Sequence, residues 1–170
     1  MHQDGGNAAG CALLAEKTAR NNGAQDVRTL FSIDGGQTFI PFQGLSDQAS
    51  DPMTLYVAVR IRGYWADGFM TFSTSAGATE QALDGMIAAA KAGAGADDLR
   101  PKNHSDHPLL GHSLGCGIGC ALEEAPYLEG GGRLTAGDVV SLKVGDASTL
   151  ASAIVHITDH GNDVLWRAGQ

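Results

Sequence analysis

The sequence predicts an α+β fold in which an antiparallel sheet carries helices on one face. Two amphipathic helical segments are each followed by a run of strand-like segments, which gives the order α-β-β-β-β-α-β-β-β-β. The chain has 170 residues, 43% of them hydrophobic, which is enough for one domain (1–170) with a sizeable core. Twenty-four glycines lie among apolar residues, which indicates tight turns and close backbone packing rather than a linker.

The first half of the chain contains one predicted helix and four predicted strands. The helix spans residues 7–22 and ends before Gly23, which acts as a stop signal. The residues expected on its apolar face are Ala8, Cys11, Leu14 and Ala15. The strands are expected at residues 27–33, 38–42, 53–62 and 69–73. An Asp-Gly-Gly turn at residues 34–36 joins the first two strands as a hairpin, and Gly63 and Gly68 bracket a turn or bulge.

The second half begins with a more apolar helix, predicted over residues 79–92. Leu83, Met86, Ile87 and Ala90 recur in it at helical spacing, and a glycine follows. A short helical turn is expected at residues 97–99. Alternate glycines make residues 115–122 a strand or loop rather than a helix. The remaining predicted strands are 139–144, 151–158 and 164–167.

Charge and cysteine content exclude several classes of protein. The net charge is −8, the pI is near 5.0, and no block of Lys or Arg occurs, so neither nucleic acid nor an anionic membrane is an expected partner. No apolar run approaches the ~20 residues of a membrane helix, and the first residues lack the features of a secretion signal. Three cysteines form no disulfide framework, so a cytoplasmic location is expected.

Residues 111–128, GHSLGCGIGCALEEAPYL, carry the most informative motif. They resemble the GHGIG…HE-P signature of the creatinase/aminopeptidase group, which includes methionine aminopeptidase, Xaa-Pro dipeptidase and creatinase. Residues 62–72 resemble the group's DGYWSD-TRTF, residues 134–143 its L-PGMV-TVEPG, and residues 155–165 its VLVTEDG-EVL. Four short matches in the right order favour a common fold, although each alone would be weak.

The resemblance implies the pita-bread fold, in which two helix-plus-strand halves surround a curved sheet. It also implies that the group's first helix and any N-terminal domain lie outside this chain. Members of the group are often dimers, so a homodimer is expected, or a heteromer with a complete family relative. Such a relative would supply the missing helix and a working site.

The resemblance also carries a set of metal ligands, and most of them are replaced here. Members typically bind two divalent metals through two aspartates, one histidine and two glutamates. In this sequence the resemblance places the two aspartates at Tyr56 and Asp67 and the histidine at Cys116. It places the first glutamate at Lys143 and the second at or near Ser152. Only the second aspartate is retained, and an ammonium stands where a cation would sit. We therefore expect no dinuclear metal centre, no metal ligands and no cofactor.

Two functions remain open on this reasoning. The first, which we favour, is a non-catalytic subunit or module that binds a small molecule or peptide in the concave pocket of the fold. The residues expected to line that pocket are Tyr56, Tyr64, Trp65, Asp67 and His112.

The second is a metal-independent hydrolase or lyase acting on a small amide or amino-acid-like substrate, as creatinase is within the group. Cys116 would be the nucleophile if Lys143 or a histidine lowered its pKa. Glu123, which replaces the group's second histidine, or Glu124 would act as acid or base. The alternative is that Cys116 is an inert apolar filler and that Lys143 is a strand residue paired with Asp67.

A different metal site is a third, less favoured hypothesis. His104, His107, His112, Cys116 and Cys120 recur at gaps of three, five, four and four residues, and these ligand types suit zinc. The spacing lacks a CxxC pair, and the intervening glycines would break any helix that aligned the last three.

Overall fold

The computed structural model describes residues 8–41, 51–73, 77–102, 107–110 and 113–169, with side chains described from residue 10 onward. The helices are α1 Ala8–Asn21, α2 Gly77–Ala89 and α3 Ala96–Leu99, with a 3-10 turn at Leu128–Gly130. The strands are β1 Asp26–Ser32, β2 Ile40–Pro41, β3 Met53–Ile61, β4 Tyr64–Phe72, β5 Gly115–Gly117, β6 Glu124–Tyr127, β7 Val139–Gly145, β8 Leu150–Thr158 and β9 Gly161–Arg167. Within these ranges no helix has the length and apolarity needed to cross a bilayer.

The strands form one antiparallel sheet, as the sequence predicts. Its order is β2-β1-β3-β4-β8-β7-β5-β6, and β9 pairs with β8 beside this path. Both end strands are short and each contains a proline, Pro41 in β2 and Pro126 in β6. The α+β fold class is therefore confirmed.

Helices α1 and α2 pack on the same face of the sheet, one over each half. Helix α1 lies against β1, and α2 lies against β7 and β8. Leu55 of β3 packs against the cluster under α1, and its register partner Met70 of β4 packs against the cluster under α2. Side chains alternate between the two faces along a strand. One set of alternate residues lies on the face that carries α1 and α2, which we call the helix-bearing face, and the other set lies on the opposite face, which we call the open face.

The buried core is divided into two clusters. The larger one joins Leu83 and Met86 of α2 to apolar residues of β7 and β8. The smaller one consists of Ala12 of α1 and Phe31 of β1, with partly buried neighbours on β3. Packing is therefore dense under α2 and thin under α1.

The face that α1 buries differs from the predicted one. Cys11 is exposed and the Leu14 side chain is 62% exposed, whereas Ala12 is fully buried. The small Ala12 side chain lets the helix approach Phe31 closely, so the helix is turned by about one residue, or ~100°, from the predicted orientation.

Strand β4 is longer than predicted and includes Gly68. The register with β3 is continuous from Met53 opposite Phe72 to Ile61 opposite Tyr64, so no bulge interrupts it. Arg62 and Gly63 alone form the turn, both with positive φ (52° and 90°), as a two-residue type I′ hairpin requires. Gly68 serves another purpose, because a Cβ there would collide with the ring of Trp166 from β9.

The glycine-rich motif forms β5, and the sequence missed the strand that follows it. The segment predicted as 115–122 ends as a strand at Gly117, and β6 pairs back onto it. Gly115 has φ +123°, and a Cβ there would collide with the carbonyl of Ser141 on β7; one at Gly117 would collide with the carbonyl of Ala125. The glycines are therefore required because two neighbouring strands approach β5 closely.

Candidate functional site

Several polar residues that the sequence identifies as candidate site residues lie on the open face of the sheet. Tyr56 of β3 stands opposite Phe69 of β4, and Asp67 lies two residues away on the same side. Lys143 of β7 stands opposite Ser152 of β8. Strands β3, β4, β8 and β7 are consecutive in the sheet, so these side chains lie close together.

Asp67 is the centre of this cluster. Its carboxylate is only 1% exposed, and Oδ2 lies 2.9 Å from Nζ of Lys143, which is itself 10% exposed. Oδ1 accepts a 2.7 Å hydrogen bond from the Ser141 hydroxyl, and the Tyr56 hydroxyl donates to Oδ2 at 3.3 Å. Both carboxylate oxygens are therefore engaged, and the buried charge is balanced one to one.

Tyr56 forms the apolar side of the cluster as well as a hydrogen bond. Burial raises the pKa of its phenol far above the ordinary value, and the negative charge of Asp67 and the hydrogen bond to it act in the same direction. Its ring lies 4.8 Å from that of Phe69, which in turn lies 5.7 Å from the ring of Phe39. Tyr56 is therefore a neutral donor at the edge of an aromatic wall.

Cys116 lies beside this cluster on β5, opposite Ser141 of β7. Its side chain is buried, and this burial raises the pKa of the thiol. Lys143 opposes the shift, while the negative charges of Glu123 and Asp67 add to it. The lowered pKa that a cysteine nucleophile requires is therefore not what this environment produces.

The other residues named from the sequence lie around the cluster or away from it. Glu123 is exposed, and Glu124 is partly exposed and accepts a 3.1 Å hydrogen bond from the amide of Ala121. Trp65 lies on the open face under the guanidinium of Arg28, 4.9 Å from the ring centre. The sheet separates Tyr64 from Trp65. Tyr64 is 63% exposed, and the alternation of the strand places it on the helix-bearing face. His112 lies outside the described residues.

Sequence reasoning missed Ser141 and Phe69 as members of the site. Ser141 precedes Lys143 by two residues in β7, and Phe69 follows Asp67 by two in β4. The alternation of a strand places each on the same face as its neighbour. That signal was available once the strands had been predicted.

The ligand set of the zinc hypothesis is not assembled among the residues described. His107 is buried, with Nε2 lying 3.0 Å from the carbonyl of Gly35 and Nδ1 accepting from the amide of Leu109 at 3.0 Å. Cys120 is exposed. In the described ranges no three His, Cys, Asp or Glu side chains form a cluster able to hold a metal ion, and His104 and His112 lie outside them.

The donors at the five carried-over positions do not fit a pair of divalent cations. They comprise one carboxylate, a phenol, a buried thiol, an ammonium and the Ser152 hydroxyl. The carboxylate oxygens already bind Lys143 and Ser141, and the Ser152 oxygen accepts a 2.7 Å hydrogen bond from the amide of Phe69. Two dications held close together need several anionic oxygen or imidazole donors, which this set does not contain.

No family model matches the chain, and no curated protein sequence matches it. Solved structures do match. The prolidase of Pyrococcus furiosus superposes with a TM-score of 0.75 at 19% identity, covering 96% of this chain and 52% of that one. The X-Pro aminopeptidase of Thermotoga maritima gives 0.68 at 19% identity, covering 96% and 54%. The N-terminal domain of the FACT complex subunit SPT16 from chickpea (Cicer arietinum) gives 0.64 at 14% identity, covering 92% and 48%.

These similarities establish the fold. The chain has the pita-bread fold of prolidases and X-Pro aminopeptidases, as the sequence motifs predicted. It spans about half the length of these three solved structures. At these identities the likeness concerns architecture alone, so function has to be argued from the site.

Proposed function

We propose that the chain is a non-catalytic relative of X-Pro peptidases that binds a small peptide or peptide-like molecule on its open face. The observation that carries the proposal is the 2.9 Å ion pair between Asp67 and Lys143. It lies at the positions where the sequence resemblance places metal ligands. The Lys143 ammonium balances the negative charge of the Asp67 carboxylate, as a bound metal ion would, but it does not activate a water molecule.

The electrostatics of the pair argue against a metal ion displacing the lysine. A dication approaching Asp67 would meet the fixed positive charge of Nζ within a few ångströms, in a region with little solvent to screen it. Removing the ammonium from its partner would also leave a buried lysine unpaired, which is costly. The lone carboxylate is therefore satisfied within the protein.

The surroundings of Tyr56 suit a ligand with an apolar body and charges of both signs. Arg28 and Glu123 both act electrostatically on the Tyr56 phenol, with opposite effects on its pKa. An adjoining cavity of about 460 Å³ is lined by Arg28, Leu30, Tyr56 and Leu122, among others. That volume lies in the range of small-ligand pockets. A short peptide carries the matching features: a carboxylate for the arginine, an ammonium for the glutamate, and apolar atoms for the aromatic wall.

The metal-independent hydrolase or lyase is the alternative. It would use Cys116 with Glu123 or Glu124. We favour it less because burial raises the pKa of the Cys116 thiol, so little thiolate is present at neutral pH. The shared fold of the SPT16 domain, from a subunit of a complex, is compatible with a binding role for this architecture.

The experiment combines binding with turnover on the same purified chain. Dipeptides with and without a C-terminal proline are titrated calorimetrically, and hydrolysis is followed with and without millimolar Mn²⁺ or Co²⁺. We expect saturable binding without hydrolysis, weakened at least tenfold by Tyr56→Ala and by Arg28→Gln, and unchanged by Tyr127→Ala, a change at an exposed tyrosine on the edge strand.

Cation-dependent hydrolysis that Asp67→Asn abolishes would contradict the proposal. So would the absence of any binding by this class of ligand. Turnover without metal that is lost in Cys116→Ser would instead favour the alternative enzyme.

A further inference from the structure

One buried histidine lies outside the polar cluster around Asp67. His107 is 1% exposed, and its ring is inserted beside the β1–β2 loop, by which we mean residues 33–39. A Cβ at Gly36 in that loop would come within 2.8 Å of Nε2 of His107. A Cβ at Gly145, at the end of β7, would come within 2.9 Å of the His107 Cβ. The absence of a side chain at both glycines therefore leaves the room that His107 occupies.

Both ring nitrogens of His107 have backbone partners, which together require one neutral tautomer. Nε2 lies 3.0 Å from the carbonyl oxygen of Gly35, which can only accept a hydrogen bond, so Nε2 carries the proton. The amide of Leu109 donates to Nδ1 at 3.0 Å, so Nδ1 is the acceptor. The imidazole therefore ties its own segment to the β1–β2 loop, 72 positions earlier in the sequence.

The β1–β2 loop is held in shape by its own hydrogen bonds. Oδ1 of Asp34 accepts from the amides of Gln37 and Thr38, at 3.1 and 3.0 Å. Gly35 follows Asp34 directly, and Phe39 follows Thr38. A fixed Gly35 carbonyl therefore restricts the position of Phe39 through a short stretch of hydrogen-bonded backbone.

Phe39 is the outer ring of the aromatic wall beside Tyr56. Its ring lies edge-to-face on that of Phe69, with centroids 5.7 Å apart, and Phe69 lies 4.8 Å from Tyr56. Phe69 is only 7% exposed, whereas Phe39 is partly exposed. Phe39 is therefore the phenylalanine of this wall that a ligand can cover more fully, and the geometry of an edge-to-face pair depends on where each ring is held.

We propose that His107 is a positioning residue for the ligand site on the open face. Its hydrogen bond to Gly35 fixes the β1–β2 loop and so holds Phe39 against Phe69. When that bond is lost, the loop shifts and the apolar surface offered to the ligand changes. The effect on affinity rests on the proposed function, whereas the effect on Phe39 does not.

Two substitutions separate the two hydrogen bonds of His107. In His107→Gln the side-chain amide nitrogen lies about where Nε2 lay, so it can still donate to Gly35, but the acceptor for Leu109 is lost. In His107→Asn the side-chain oxygen can accept from Leu109, two residues further on, as in an Asx turn. The shorter asparagine does not reach Gly35. Each variant therefore keeps one bond and loses the other.

Calorimetric titration with leucylproline and leucylleucine measures the consequence for binding. We expect His107→Asn to weaken binding about fivefold, the effect of one neutral hydrogen bond, and His107→Gln to stay within about twofold of the wild type. In a Phe39→Ala background, His107→Asn should have no further effect, because the ring that it displaces is gone. The control is His160→Asn, a change at an exposed histidine, which should leave binding unchanged.

Nuclear magnetic resonance gives a readout that does not need a ligand. The chemical shifts of the Phe69 ring protons report the neighbouring Phe39 ring, so they should change in His107→Asn and not in His107→Gln. In the wild-type chain, the nitrogen shifts of His107 should show the tautomer protonated at Nε2. This last measurement requires no variant to fold.

Several results would overturn the proposal. These are equal affinities of the asparagine and glutamine variants, an asparagine effect that persists in full without Phe39, unchanged Phe69 resonances in His107→Asn, or a wild-type imidazole protonated at Nδ1. A purely structural histidine would give the first of these, because each variant loses one hydrogen bond. A wild-type chain that binds neither dipeptide would contradict the proposed function alone, since the Phe69 resonances would still decide whether His107 positions the wall.

Discussion

Replacing Lys143 by methionine tests the role of the central ion pair directly. Methionine keeps an unbranched apolar side chain but removes the ammonium, so Asp67 stays at 1% exposure with no cation beside it. Breaking a buried pair by removing one partner typically costs about 3–5 kcal/mol, because the remaining charge is left uncompensated. The hydroxyls of Ser141 and Tyr56 still donate to the carboxylate, so we expect the lower end, about 3 kcal/mol.

A charge-free double variant separates a lost charge from lost packing. Asp67→Asn together with Lys143→Met removes both charges and keeps an oxygen for the Ser141 hydroxyl. Its free energy of unfolding is expected to lie within about 1 kcal/mol of the wild type, or above it. The control is Lys17→Met on the exposed side of α1, which should change the free energy by less than about 0.5 kcal/mol.

The assay is urea unfolding of the four proteins at neutral pH. A loss of about 3 kcal/mol corresponds to a Tm lower by roughly 6–12 °C in a chain of this size.

Two results would refute the reasoning. One is a loss below about 1 kcal/mol in Lys143→Met, which would mean that the pair is effectively solvated. The other is a double variant as unstable as the single variant, which would assign the loss to packing rather than charge.

Three further predictions follow from the neighbouring residues. Because burial raises the pKa of Cys116, maleimide labelling of the native chain should be slower there than at the two exposed cysteines at neutral pH, and should equalise in urea; fast labelling would contradict its burial. Since the pKa of Tyr56 is also raised, absorbance at alkaline pH should show one tyrosine that ionises only on unfolding, and Tyr56→Phe should remove that late step. Gly115→Ala should cost about 3 kcal/mol or more, because of its positive φ and the nearby Ser141 carbonyl, whereas Gly130→Ala, with open space around it, should be nearly neutral by the same urea assay.

The sequence was sufficient to predict that three of the candidate residues lie close together. Carrying the metal positions of a resembling group onto this chain placed Tyr56, Asp67 and Lys143 together, and their side chains are in contact. The fold class and most strand positions followed from hydrophobic alternation and glycine breaks. These features are local or rest on motif spacing, which a single sequence carries.

Other features depend on contacts between distant segments and could not be predicted locally. The rotation of α1 depends on how closely Ala12 can approach Phe31. The sequence predicts a turn or bulge between Gly63 and Gly68, because nothing nearby in the sequence reveals that Trp166 covers Gly68. Strand β6 has four residues, one of them proline, and has too little alternation to be recognised.

The prolines at the two borders of the sheet limit how this molecule can associate with others. Pro41 in β2 and Pro126 in β6 each remove a backbone donor, and neither strand exceeds four residues. A strand added beside β2 or β6 could therefore form few backbone hydrogen bonds with it. Addition of a strand is therefore disfavoured at these two borders, whereas β9, which among the described strands pairs with β8 alone, leaves a seven-residue edge where another strand could add.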